Sequence, residues 1–146
     1  MTLHQLPPAP VRSARAARVL APTATIGGLG IATLALHLRD PHASGSWGAC
    51  PSALLGFWCP GCGGLRGVHD LTDLRLADAA SSNLLLVLAA PVVVVLLGRW
   101  ALDAWTGRER APLADRTRMI LVTLLLASLA VFTVARNLPV GSWLAP

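Results

Sequence analysis

Three long apolar runs, separated by short arginine-bearing stretches, dominate the pattern of hydrophobic and polar positions along this chain. The first, residues 19–38, contains no Asp, Glu, Lys or Arg. A helix of about twenty residues rises roughly 30 Å, the thickness of a hydrocarbon core. The second uncharged stretch covers residues 79–98, with Pro91 in the middle of its apolar centre at 84–97. The third covers residues 119–135, at the short end of the spanning range, with Arg116 and Arg118 before it and Arg136 after. A helix on the surface of a soluble bundle shows a polar face every turn, and none of these three does.

The pattern therefore predicts an all-α integral membrane protein with three transmembrane helices, at residues 19–38, 81–101 and 118–136. Residues 1–18 read as a basic disordered tail with Pro7, Pro8 and Pro10 followed by Arg12, Arg15 and Arg18. Residues 39–80 form a loop with a short helix near the membrane interface, residues 102–117 a second loop, and residues 137–146 a tail. Two further spans commit the chain to the membrane even if the first run were a cleaved leader. Pro22 is expected in the first turn of its helix, where a missing N–H costs little. Ala24, Gly28 and Ala32 recur every fourth residue, a spacing that lets a neighbouring helix approach closely. Pro91 is expected to kink the second span and release the carbonyl of Val87.

Composition agrees. Hydrophobic residues make up 54% and charged residues 13%, against about 25% charged in an average soluble domain. Mean hydropathy is +0.61. The net charge of +5 comes from twelve basic residues, all arginine, against seven acids. These arginines form no stripe with interleaved aromatics, so nucleic acid is not the expected partner. They cluster instead at the ends of the apolar runs. Arg12, Arg15, Arg18, Arg99, Arg108, Arg110, Arg116 and Arg118 fall on one side of the bilayer; Arg39, Arg66, Arg75 and Arg136 fall on the other. Arginine excess marks the cytoplasmic side. The expected location is the cell membrane, multi-pass, with the N-terminus cytoplasmic and residues 39–80 outside.

All three cysteines fall in that outer segment, as Cys50, Cys59 and Cys62 in a Cys-x8-Cys-x2-Cys spacing. Pro60 and Gly61 form a tight turn that brings two sulfurs together. Three chemistries fit. A structural disulfide persists outside the cytoplasm but leaves one thiol over. A zinc knuckle would use Cys50, Cys59 and Cys62 and needs a fourth ligand, for which His69 and His42 are candidates and Asp70 a poorer one. Thiol–disulfide exchange would use Cys59 and Cys62 as the redox pair with Cys50 resolving, although the strand–helix pattern that usually accompanies such pairs is missing. Arg66 would face Asp70 at i+4, a pair worth ~0.3–0.5 kcal/mol when exposed. Asn83 opens the second span and is placed to cap it or to bond across helices.

The run Cys50-Pro51, the knuckle Cys59 to Gly63, Arg66 and Asn83 resemble the small bacterial membrane proteins of the domain of unknown function 2752 family. The closing Arg136-Asn137-Leu138-Pro139 is similar to tails in that family. Two positions depart from its pattern: Leu65 stands where threonine is common, and Leu74-Arg75 stands where a Gly-Asp pair is common. The resemblance implies a membrane protein and supplies no activity. No phosphate-cradling glycine loop, no serine–histidine nucleophile motif and no paired intramembrane carboxylates are visible. A non-enzymatic scaffold built on the cysteine loop is the favoured expectation, with a membrane thiol oxidoreductase as the alternative. The lipid bilayer is its environment, and another copy or another membrane protein its candidate partner.

Overall fold

The computed structural model describes residues 11–43, 47 and 50–145. Among them every regular element is helical: α1 (Val11–Leu38), α2 (Pro51–Leu54), α3 (Gly64–Thr72), α4 (Leu76–Thr106), α5 (Asp115–Asn137) and a closing 3₁₀ helix (Pro139–Leu144). Three of these helices are long and apolar enough to cross a membrane: Arg15–Leu38, Leu76–Thr106 and Asp115–Asn137. No more than 11% of the most apolar stretch of any of them is buried by protein. Side chains such as Ile31, Val94 and Leu124 thus lie bare along their helices. Exposed apolar area on this scale needs lipid, because water would charge about 25 cal/mol for each Å². The chain is a multi-pass membrane protein.

Each span extends past its expected limits. Residues 11–18, read from sequence as part of a disordered tail, lie on α1, while residues 1–10 are outside the described residues. Arg15 sits over the ring of Trp105 at 5.0 Å, and Arg18 Nε donates to the carbonyl of Ala104 at 3.5 Å. Those contacts give the arginines a partner that composition could not reveal. Because the helix starts early, Pro22 is inside it rather than in its first turn, and is fully buried. Ala24, Gly28 and Ala32 remain exposed, so the small-residue face carries no neighbour from this chain.

The bend in α4 also falls elsewhere than expected. Its non-helical residue is Asn83, with φ −161° and ψ 92°, rather than anything near Pro91. A proline needs only the i−4 carbonyl to move aside. Asn83 breaks the helix because its side chain supplies what the backbone gives up: Oδ1 accepts the amide of Leu86 at 3.0 Å. Asn83 is in effect a second N-cap within α4.

The helices pack unevenly. α1 lies along α4, and α3 lies across both, with Gly67 buried against α4. A Cβ on Gly67 would come within 2.9 Å of the tip of the Leu86 side chain, so glycine lets α3 approach without displacing Leu86. α3 thus packs on the ends of the spans. α5 is tied down mainly through its C-terminal end and the 3₁₀ helix, which touches both α5 and α4. Relative sidedness follows. The start of α1, the end of α4 and residues 107–114 share one end, where Arg110 pairs with Asp103. Residues 39–43, 50–75 and 138–145 share the other.

Candidate metal centre

At this second end the chain turns back on itself around sulfur. Cys50 precedes α2, whose first residue, Pro51, has a fixed φ suited to starting a helix. That single turn aims the Ser52 hydroxyl back at Cys50. Further on, the Cys62 amide donates to the Cys59 carbonyl at 3.1 Å, closing the Pro60–Gly61 turn. Gly63 then takes φ +76°, a left-handed conformation that most residues resist, and redirects the chain into α3.

The result is a compact cluster. Cys50 and Cys62 sulfurs are 3.0 Å apart, Cys59 and Cys62 3.2 Å, and Cys50 and Cys59 3.9 Å. Ser52 Oγ is 3.1 Å from the Cys50 sulfur and 3.2 Å from that of Cys62. A disulfide needs about 2.05 Å, and all three cysteines are free thiols. Three sulfurs and one oxygen thus gather in a small four-cornered cluster. With edges of this size its centre is roughly 2.0 Å from each corner, against about 2.0–2.3 Å for zinc–oxygen and zinc–thiolate bonds. Tetrahedral zinc–thiolate bonds set sulfur–sulfur edges of about 3.8 Å, so the two shorter edges would open by roughly 0.6–0.8 Å to admit such an ion.

The thiols are not equivalent. Hydrogen bonds from the Cys62 thiol and the Ser52 hydroxyl bring Cys50 down from the ordinary 9.0 to about 6. The Ser52 hydroxyl also lowers Cys59. Burial pushes Cys62 up, and it is only 2% exposed.

A polar clamp holds the backbone beneath this cluster. Arg136 Nη1 donates to the carbonyls of Cys59 at 2.8 Å and Cys62 at 3.1 Å, and Nη2 to that of Leu144 at 2.9 Å. Its guanidinium sits 4.9 Å over the Phe132 ring. Asn83 Nδ2 donates to the carbonyls of Pro60 at 2.9 Å and Cys62 at 3.1 Å. Asn137 takes both backbone groups of Trp58, accepting its amide and donating to its carbonyl, each at 2.8 Å. The knuckle is therefore gripped by α4 and α5 together. Arg136 is 1% exposed, and among the described residues no carboxylate lies within ion-pair reach of it.

Residues 50–97 match the family model described as Protein of unknown function (DUF2752). The match covers a third of the chain. No curated protein and no solved structure matches the chain. The DUF2752 segment holds all three cysteines, Ser52, Arg66 and Asn83, and ends within α4. Arg136 and Asn137, which complete the clamp, lie beyond it.

Other expected site residues are placed differently. His69 is in a separate group with Asp40 and His42, away from the sulfurs. Arg66 does not pair with Asp70. Asp70 is fully buried and accepts from Arg75 Nη2 at 2.6 Å and Ser82 Oγ at 3.2 Å. Arg75 wins this contact because a left-handed turn at Leu74 (φ +61°) folds it back, its own amide bonding the Asp70 carbonyl at 2.8 Å. Arg66 instead lines an open cavity of about 570 Å³ with Trp47, Trp58, Cys50 and Cys62. Sequence reasoning missed Ser52 and the clamping role of Arg136. The signals for the latter were an arginine flush against an apolar run and its place in the Arg136-Asn137-Leu138-Pro139 tail, and neither names the carbonyls it would grip.

Proposed function

We propose that the DUF2752 segment holds one divalent ion, zinc by its chemistry, on the thiolates of Cys50, Cys59 and Cys62, with the Ser52 hydroxyl beside the fourth position. The observation that carries this reading is the four-cornered cluster, whose edges suit a metal and exceed a disulfide. Charge supports it as well. Three thiolates around a divalent ion carry net −1, and the buried Arg136 supplies the +1 that a low-dielectric site needs. A monovalent ion would leave a second negative charge without a counterpart.

On this reading the ion is structural. It locks a loop of otherwise irregular backbone into a rigid cap, to which α4 and α5 are fastened through Asn83, Arg136 and Asn137. The cap faces outward, given the arginine excess on the opposite side, and the protein serves in the cell membrane as a scaffold for another copy or another membrane protein. Cobalt(II) titration of the metal-free, detergent-purified chain tests the site. The expected result is a thiolate-to-cobalt charge-transfer band, lost in Cys62→Ser together with protein abundance. Absence of the band, with a Cys59–Cys62 disulfide in protein trapped by alkylation, overturns it.

One observation favours thiol–disulfide exchange as a second reading: Cys62 touches both other sulfurs, and the Cys50 thiol is lowered to about 6. An exchange enzyme would keep its fold in Cys62→Ser and lose only electron transfer.

A further inference from the structure

A second group of metal-ligating side chains gathers at the far end of α3. Cys62 lies before the start of α3 and His69 near its end, and the two groups share no residue. Asp40 and His42 come from the turn after α1, and His69 and Asp73 from the end of α3. His42 Nδ1 is 2.9 Å from Asp40 Oδ1, and that same oxygen is 3.6 Å from His69 Nε2. Asp73 Oδ2 lies 3.5 Å from His69 Nε2.

The buried ring of His69 decides what this group can do. Its Nδ1 is 2.8 Å from the carbonyl of Leu36, at the end of α1. A carbonyl only accepts, so Nδ1 carries the hydrogen and Nε2 is the ring nitrogen left to ligate. Nε2 faces two carboxylate oxygens, from Asp40 at 3.6 Å and Asp73 at 3.5 Å. An imidazole nitrogen and two carboxylate oxygens converging in this way call for a positive charge among them, a metal ion or a proton on Nε2. A backbone carbonyl on one ring nitrogen, leaving the other free to ligate, is the usual support of a metal-bound histidine. Further acids adjoin the group: Asp70 Oδ2 lies 3.5 Å from His42 Nε2, while the other Asp73 oxygen meets His37 Nδ1 at 3.1 Å and Arg75 contacts both Asp70 and Asp73.

We infer a second divalent-cation site formed by Asp40, His42 and His69, with Asp73 beside it, independent of the thiolate knuckle. Two imidazoles and carboxylate oxygens select a borderline ion such as zinc, cobalt or nickel over calcium or copper(I). Bound there, the ion staples the end of α1 to the end of α3, as the knuckle staples the start of α3 to α4 and α5.

Cobalt(II) uptake by the full chain in detergent, measured by elemental analysis and absorption together, tests this. Cys62→Ser should still bind one cobalt(II) without a thiolate charge-transfer band. Adding Asp40→Asn and His42→Asn, both solvent-exposed, should weaken that uptake at least about tenfold. If Cys62→Ser fails to fold, the same two substitutions in the otherwise unaltered chain should remove one of two ions and leave the thiolate band intact. Uptake unchanged by Asp40→Asn and His42→Asn overturns the site. So does ¹⁵N NMR showing His69 as a doubly protonated imidazolium with and without added zinc. A missing thiolate band with the second ion still bound would instead count against the knuckle alone.

Discussion

The guanidinium of Arg136 holds the backbone carbonyl of Cys62 at 3.1 Å, across 74 residues of chain. Through this bond and its partners the last span is fastened by its end. Replacing Arg136 with Met would strand the carbonyls of Cys59 and Leu144 in a buried place. Losing charged hydrogen bonds of this kind costs on the order of 3 kcal/mol or more. Thermal unfolding in detergent, followed by tryptophan fluorescence, should show a clear drop in midpoint. Arg136→Lys should recover only part of it, because an ammonium cannot fork across three carbonyls. A wild-type midpoint in Arg136→Met would show that α5 is anchored by other contacts.

Asn83 does two jobs, and two substitutions separate them. Asn83→Asp keeps the oxygen that caps Leu86 but turns an acceptor toward the carbonyls of Pro60 and Cys62. Asn83→Ala removes both functions, at a cost of about 2–4 kcal/mol summed over a cap and stranded buried groups. Asp is expected to be at least as damaging as Ala by the same unfolding measurement. A well-tolerated Asp would mean that the cap alone matters.

The three thiols should alkylate in a fixed order in metal-free protein: Cys50 first, Cys59 next, Cys62 last. Thiolate is the reactive form. With its pKa lowered to about 6, Cys50 is mostly ionised at pH 7, and its rate should fall only as pH drops through 6. The sign for stability follows. The fold favours the Cys50 thiolate, so its contribution is full above the ordinary 9.0 and is lost as pH falls toward 6. Cys62, raised and buried, should stay unmodified at neutral pH. Mass spectrometry of timed iodoacetamide reactions reads this order directly, and early labelling of Cys62 would contradict it.

Leu74 occupies a left-handed conformation, φ +61°, with 85% of its surface exposed. A side chain there costs roughly 1–2 kcal/mol, while glycine gives back part of the gain through its freer unfolded chain. Leu74→Gly should therefore stabilise the protein by about 0.5–1 kcal/mol, seen as a higher unfolding midpoint. An unchanged or lower midpoint would show that Leu74 contributes an apolar contact with lipid that outweighs the strain. The Gly-Asp pair to which Leu74-Arg75 was compared acquires a physical meaning here, since the first position is one that glycine suits.

The spans were legible because bilayer burial acts on each helix separately: a run of apolar residues long enough to cross needs no knowledge of its neighbours. Their ends were less so. The helical turns around Arg15 depend on Trp105, a residue ninety positions away, and the bend at Asn83 depends on carbonyls in the knuckle. The convergence of Cys59 and Cys62 was readable from a local turn, whereas Ser52 enters the cluster only because α2 folds back on Cys50.

By itself the sequence determined that this protein is helical, that it belongs in a membrane, and that its sulfur chemistry is concentrated in one segment at one end. Those properties come from composition and short-range spacing. Tertiary structure alone decided which groups meet: Arg136 with the knuckle carbonyls, Arg75 rather than Arg66 with Asp70, and His69 with Asp40 rather than with the cysteines. Each of these depends on where a buried polar group finds a partner, and in a low-dielectric interior that is settled by the three-dimensional path of the chain.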